Sequence, residues 1–273
     1  MQPLAEVFGF PTTNLSEDAE YHRKEKLCRF TGKKCTKDKA DDPLGVCSVY
    51  HNNQPVITCP LRFREDSIIF RDAASFFFPR DTKWAAFSEV RLHDGQGQPA
   101  GNIDIVLVAF DDQEQIIDFG AVEIQSVYIS GNVRKPFKHY IADPQNNATM
   151  NWSGKPDYPR PDYLSSSRKR LSPQLMYKGG ILHRWQKKLA VVLDQSFFNT
   201  LPKLPEVPQP EAEMVWLIYN LELEKSKKTL QLNQVARIYT KFQDALNAII
   251  QPPASDLNKF IAMLRAKLGN NTP

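Results

Sequence analysis

Two short apolar runs, each interrupted by an acid, constrain this chain more than any other feature. They are Asn102-Ile103-Asp104-Ile105-Val106-Leu107-Val108 and Gly120-Ala121-Val122-Glu123-Ile124-Gln125. Between them Asp111-Asp112-Gln113 reads as a tight turn, so the runs are expected to pair as an antiparallel hairpin. Side chains alternate across a strand, which sets Glu123 and Gln125 on one face, within reach of Asp104 on the neighbour. A carboxylate inside a buried strand is costly to desolvate unless something compensates it, and a divalent cation is the usual compensator. Acids set out in this way match a site for metal-dependent phosphodiester chemistry.

The remaining composition fits that reading without demanding it. At 273 residues, 41% apolar and 24% charged, the chain suits one large domain or two small ones. No apolar run approaches the roughly 20 residues that span a bilayer. Met1-Gln2-Pro3-Leu4-Ala5-Glu6 lacks the pattern of a secretory signal, and the expectation is a cytoplasmic protein with no membrane partner. The net charge of +4 is unevenly spread. Between Glu89 and Glu123 acids dominate, with Arg91 the lone base. Basic stretches lie on either side, Arg23 to Lys39 upstream and Arg160 to Lys188 (Lys178 among them) downstream. An acidic centre between basic flanks suits a protein that grips a polyanion while holding metal against one phosphate. Solvated surface charge is the plainer account of each basic run.

Along the chain, the first ~20 residues read as a lead-in segment broken by Pro11 and Asn14. Residues 1–62 form a small module that contains all four cysteines, and residues 63–273 the larger core. A buried helix is expected between Glu65 and Phe78, stopped by Pro79, and a short helix or strand from Trp84 to Val90. Residues 143–171 read as a long functional loop, and Ser172-Pro173 as the cap and first turn of a helix that Gly179-Gly180 bends. Met214 to Leu223 reads as a strand; Val235, Ile238, Tyr239, Phe242, Leu246 and Ile249 are spaced as an amphipathic helix, with another from Leu257 to Leu268.

The cysteines stand at Cys28, Cys35, Cys47 and Cys59. Two disulfides, four unrelated buried thiols and one tetrahedral metal compete to explain them. A cytoplasmic setting disfavours disulfides. The segment Cys28-Arg29-Phe30-Thr31-Gly32-Lys33-Lys34-Cys35 is polar and turn-rich, unlike the surroundings of buried thiols, so a metal is the favoured account. Tetrahedral thiolates suit zinc and iron alike.

The pairing of Asp104 with Glu123-Ile124-Gln125 resembles the PD-(D/E)xK nucleases, in which an Asp on one strand and a (D/E)xK on the next hold magnesium. The resemblance implies Asp104 and Glu123 as metal ligands, with the Ile124 carbonyl as a further oxygen and Glu89 as an outer ligand. A lone acid such as Glu89 is more often a surface residue, and Asp104 and Glu123 read alternatively as acids satisfied by salt bridges. Gln125 departs from the pattern: a neutral amide can orient the attacking water but supplies neither a base nor a positive charge. More closely, the four cysteines with Gly45-Val46-Cys47 and Cys59-Pro60, then Phe87-Ser88-Glu89, Asp104 and the Gly120-to-Gln125 strand are similar to the NotI-type restriction endonucleases over about residues 1–190.

That resemblance implies an α/β fold, a restriction-endonuclease-like mixed central sheet flanked by helices, with a small four-cysteine iron module. It implies a magnesium-dependent type II enzyme that cuts a GC-rich palindrome in double-stranded DNA as a homodimer, with Asp104, Glu123 and Gln125 catalytic. Arg160, Arg168, Lys169 and Arg170 are candidates for DNA contact, mostly to phosphates. Two rivals stand beside it: a non-catalytic DNA-binding protein with a four-cysteine knuckle, and a repair nuclease selective for structure.

Overall fold

The computed structural model describes residues 1–251 and 253–269. Its centre is a six-stranded mixed sheet in the order β12-β11-β10-β7-β6-β5. The strands are β5 (Trp84–His93), β6 (Pro99–Phe110), β7 (Ile116–Gln125), β10 (Leu189–Asp194), β11 (Met214–Glu224) and β12 (Thr229–Thr240). β10 runs parallel to both β7 and β11, and the remaining neighbours are antiparallel. A second sheet, β2-β1-β3-β4, is built from Leu4–Val7 (β1), Phe10–Pro11 (β2), Val46–His51 (β3) and Gln54–Ile57 (β4). Tyr128–Ser130 (β8) and Arg160–Asp162 (β9) form a two-stranded ribbon.

The expected hairpin is present as β6 and β7. Its turn is tied by Asp111, whose Oδ1 accepts from the amides of Gln113 and Gln115 at 2.9 and 2.8 Å. Both faces of the large sheet are covered, which is why its central strands read as continuous apolar runs. Val122, Ile124, Val192 and Leu217 face helix α2 (Ile68–Phe77) on one side. On that helix Ile69, Ala73, Phe76 and Phe77 bury one stripe. The contact is close, for a Cβ at Gly120 would stand 2.4 Å from the Phe77 ring. Ala121, Val191 and Trp216 face the opposite side, where Leu171, Leu175 and Leu182 pack. Glu123 and Gln125 alternate with Val122 and Ile124, so they point to this second side.

Leu171, Leu175 and Leu182 belong to a helical run over residues 163–184 that differs from the expected helix. It begins at Tyr163, where the Asp162 side chain accepts from the Ser165 amide at 2.9 Å, and passes through Ser172-Pro173 without a break. Two wide π turns, Ser167–Leu171 and Leu175–Gly179, are let into it. Proline lacks an amide hydrogen and crowds the preceding turn, and it sits just beyond the first wide turn. We refer to this element as the jointed helix.

Other expectations are also corrected. The first residues are not a lead-in: β1 is fully buried and pairs with β3, and helix α1 (Glu17–Glu25) follows. Residues 229–240 are strand, since pairing with β11 over its whole length outweighs the three-and-four spacing of Val235, Ile238 and Tyr239. The helix starts only at Phe242 and runs to Ile250. Residues 143–171 are less irregular than expected, holding a helical turn at Pro144–Asn147, β9 and the start of the jointed helix. Among the described residues no helix is long and apolar enough to cross a membrane.

Candidate catalytic site

The hydrogen-bond ladder between β6 and β7 ends at Ile105↔Val122. Beyond that point β6 stays paired with β5 as far as His93↔Pro99, while β7 stays paired with β10 as far as Leu193↔Gln125. The sheet therefore forks, and the next two residues across the fork are Asp104 and Glu123. Asp104 Oδ2 accepts from the Ile124 amide at 2.7 Å, so a carboxylate takes the place of a ladder carbonyl.

Glu123 and Gln125 are each only 2% exposed, whereas Asp104 is half-buried. Burial raises the Glu123 carboxyl to about 8, with Asp104 adding to the rise and Lys178 opposing it. Asp104 is also raised, again chiefly by burial, against the Ile124 amide and the nearby Lys178; Glu89 adds to the rise and Arg64 opposes it. Glu123 Oε2 accepts from Lys178 Nζ at 2.5 Å, and Glu123 Oε1 has no hydrogen-bond partner. A buried carboxylate oxygen without a partner is expensive, and it is the kind of atom a cation satisfies.

Glu89 lies on the β5 side of the fork, exposed, with a left-handed backbone (φ +56°) that is rare for a non-glycine residue. It is near enough to raise Asp104, and its Oε2 lies 3.5 Å from Asn102 Nδ2. Gln125 donates through Nε2 to Gln174 Oε1, on the jointed helix. One helical turn later Lys178 meets Glu123. Positions two apart on a strand and four apart on a helix have similar rise, so the two elements match along this edge.

Lys178 is the site residue that sequence reasoning missed. It was grouped with the basic flank, yet it lies in the apolar stripe Leu171, Leu175, Lys178, Leu182 and is 5% exposed. A lysine at an inward position was the available signal.

The four cysteines are buried and unpaired, 6% to 8% exposed, so disulfides are not their state here. Cys28 and Cys35 lie on a narrow ribbon bridged at Leu27↔Lys34; Cys47 is on β3 and Cys59 follows β4. Burial pushes the Cys47 thiol well up, with Cys59, Glu6 and Cys28 adding to it, and Cys35 rises by burial and by the same two cysteines. The thiols are thus within electrostatic reach of one another. Among the described residues, however, no three His, Cys, Asp or Glu side chains are gathered closely enough to hold a metal ion.

The DNA-contact candidates lie on elements other than those that carry the cysteines. Arg160 is exposed on β9, and Arg168, Lys169 and Arg170 are exposed on the first π turn of the jointed helix. Arg170 is held on Tyr128, with its Nε 2.5 Å from the hydroxyl and its guanidinium 4.2 Å above the ring. Of the other bases downstream, His183 stacks on Phe242, Lys187 pairs with Asp118 at 2.7 Å, and Lys188 donates to the Phe76 carbonyl.

Compared with known proteins, the chain matches the family model described as "Restriction endonuclease NotI" over residues 14–232. No curated protein matches it.

Proposed function

We propose the chemistry of this chain from the premise that it belongs to the NotI restriction endonuclease family, whose model covers well over half of its length. The protein is a type II site-specific restriction endonuclease, a DNA hydrolase. The family favours neither a non-catalytic DNA-binding protein nor a structure-selective repair nuclease.

The reading of the site rests on one observation, the opposition of Asp104 and Glu123 where β6 and β7 part. In this reading Asp104 and Glu123 hold a divalent cation, magnesium, with Glu89 as an outer ligand. The partnerless Glu123 Oε1 and the two carboxyls raised by burial fit such a charge. When bound, the cation would lower the pKa of a water, polarise the scissile phosphate and steady the leaving oxygen. Gln125, fixed by Gln174, orients the attacking water and carries no charge of its own.

The remaining parts of the reading take the family likeness as their support. We propose that Cys28, Cys35, Cys47 and Cys59 hold iron, or zinc; in support, all four are buried and act on one another electrostatically, and a metal would draw them together and neutralise four thiolates. Residues 1–62 would then brace the recognition surface, and residues 63–273 the PD-(D/E)xK nuclease core. Two protomers related by a two-fold axis would cut the two strands of a GC-rich palindrome. Arg160, Arg168, Lys169 and Arg170 would meet the duplex, chiefly its phosphates. The setting would be the cytoplasm of a prokaryotic cell.

The test is a digest of unmethylated phage DNA with magnesium, wild type beside Glu123→Ala. Discrete fragments from the wild type alone are expected, and they map the recognition site directly. Discrete cutting by Glu123→Ala at the wild-type rate would remove Glu123 from the chemistry.

A further inference from the structure

We propose that Lys178 is a catalytic residue, its ammonium contacting a non-bridging oxygen of the scissile phosphate and supplying the positive charge that Gln125 cannot. The inference rests on the reading of Asp104 and Glu123 as the catalytic carboxylates.

Its first support is position. Lys178 occupies an inward place on the jointed helix, between Leu175 and Leu182 in the buried stripe. An ammonium there loses most of its hydration, a cost that an apolar side chain of similar length would avoid.

The second support is the count of donors. An ammonium has three, and no acceptor. One reaches Glu123 Oε2 at 2.5 Å and a second the Asn102 carbonyl at 2.8 Å. These two bonds fix the amine between the carboxylate strand and the start of β6. The third donor has no protein partner among the hydrogen bonds of the described residues. Lys178 also lines a cavity of about 470 Å³, together with Gly101, Asn102, Gln174 and Tyr177. The residue thus borders open space beside the start of β6.

The third support is electrostatic. Hydrolysis forms one phosphorus–oxygen bond to water and breaks one to the leaving sugar oxygen. One water proton ends on that oxygen, and the other is lost to solvent. Negative charge grows on the non-bridging oxygens as the new bond forms, beside two carboxylates that repel it. A fixed cation at this place stabilises that charge without reorganising. Arg64 acts on Asp104 from farther away and makes no hydrogen bond to either carboxylate.

The experiment compares wild type, Lys178→Met and Lys178→Gln in three measurements: thermal melting, binding of a site-containing duplex with calcium, and single-turnover cleavage with magnesium. The glutamine variant keeps a donor for Asn102, so a packing defect peculiar to methionine does not decide the result. Cleavage is expected to fall at least about 100-fold in both, the size of effect seen when one transition-state donor is removed, while the duplex still binds. Moving the charge to the adjacent strand position, in Gln125→Lys/Lys178→Met, is expected to recover at least about tenfold. Cleavage by both single variants within about threefold of wild type overturns the proposal. So does a loss of rate that only tracks a loss of folded protein or of duplex binding. Glu123→Ala, measured in parallel, separates the two claims: if it cuts normally the site reading fails, and if it is dead while Lys178→Met is active only the lysine proposal fails.

Discussion

Arg62 and Lys178 are both buried cations set beside two carboxylates, yet their surroundings differ in one respect. Around Arg62, Nε reaches both oxygens of Glu6 at 2.9 and 3.0 Å, Nη1 reaches Glu65 at 2.9 Å, and Nη2 the Leu230 carbonyl at 3.0 Å. Ser48 also donates to Glu6, and the Leu232 amide to Glu65. Every nitrogen of Arg62 is satisfied, and the cluster ties β1, β3 and β12 together. Around Lys178 one carboxylate oxygen is left without a partner, and Glu123 is driven to about 8 by its burial. A buried polar cluster that is complete specifies structure. One left incomplete at the fork of a sheet is held that way by the rest of the fold.

The contrast can be broken by mutation. The largest effect is expected from Asp104→Asn: cleavage falls by about a thousandfold or more, read by single-turnover assay, while the melting temperature moves little. Arg62→Ala should do the opposite. It leaves Glu6 and Glu65 charged and unpaired in the interior, costing about 3–5 kcal/mol in chemical denaturation, with cleavage declining only as folded protein is lost. Equal destabilisation by the two substitutions would erase the distinction.

A pH series on metal-free protein sharpens it further. The folded state binds the Glu123 proton more tightly than the unfolded chain, whose glutamates titrate near the ordinary value of 4.5. This contribution therefore falls as pH rises from about 4.5 to about 8, by on the order of a few kcal/mol. Glu123→Gln should flatten that part of the profile in denaturant melts, and an unchanged slope would contradict the assignment. The smallest effect belongs to the surface. Arg168→Ala should weaken duplex binding similarly for all sequences and lower the slope of log K against log salt by about one.

What the sequence disclosed follows from how local each signal is. The β6–β7 hairpin was legible because its alternation, its Asp111 turn and its acids all sit within 30 residues of each other. The fork itself was not, since it depends on β10 pairing with β7 from more than 60 residues away. Strand β12 was read as helix because apolar residues at 235, 238, 239 and 242 carry the wrong period, and only the partner strand β11 settles the matter. Strand β1 was overlooked because four residues between Pro3 and Pro11 offer too little pattern to outweigh the prolines. Lys178 was visible in the text but hidden among other bases. Its inward position emerges only once Leu171, Leu175 and Leu182 are seen to share a face.

The jointed helix also has a genetic consequence. Each residue of an α-helix turns the next by about 100°. The two wide turns at Ser167–Leu171 and Leu175–Gly179 set the angular phase in which Gln174 and Lys178 face β7 while Arg168 to Arg170 face outward. Losing or gaining a single codon between 163 and 184 would rotate everything beyond it out of phase. That stretch should tolerate substitutions on its outer side far better than any change of length, much as a key survives scratches on its bow but not a shift in the spacing of its teeth.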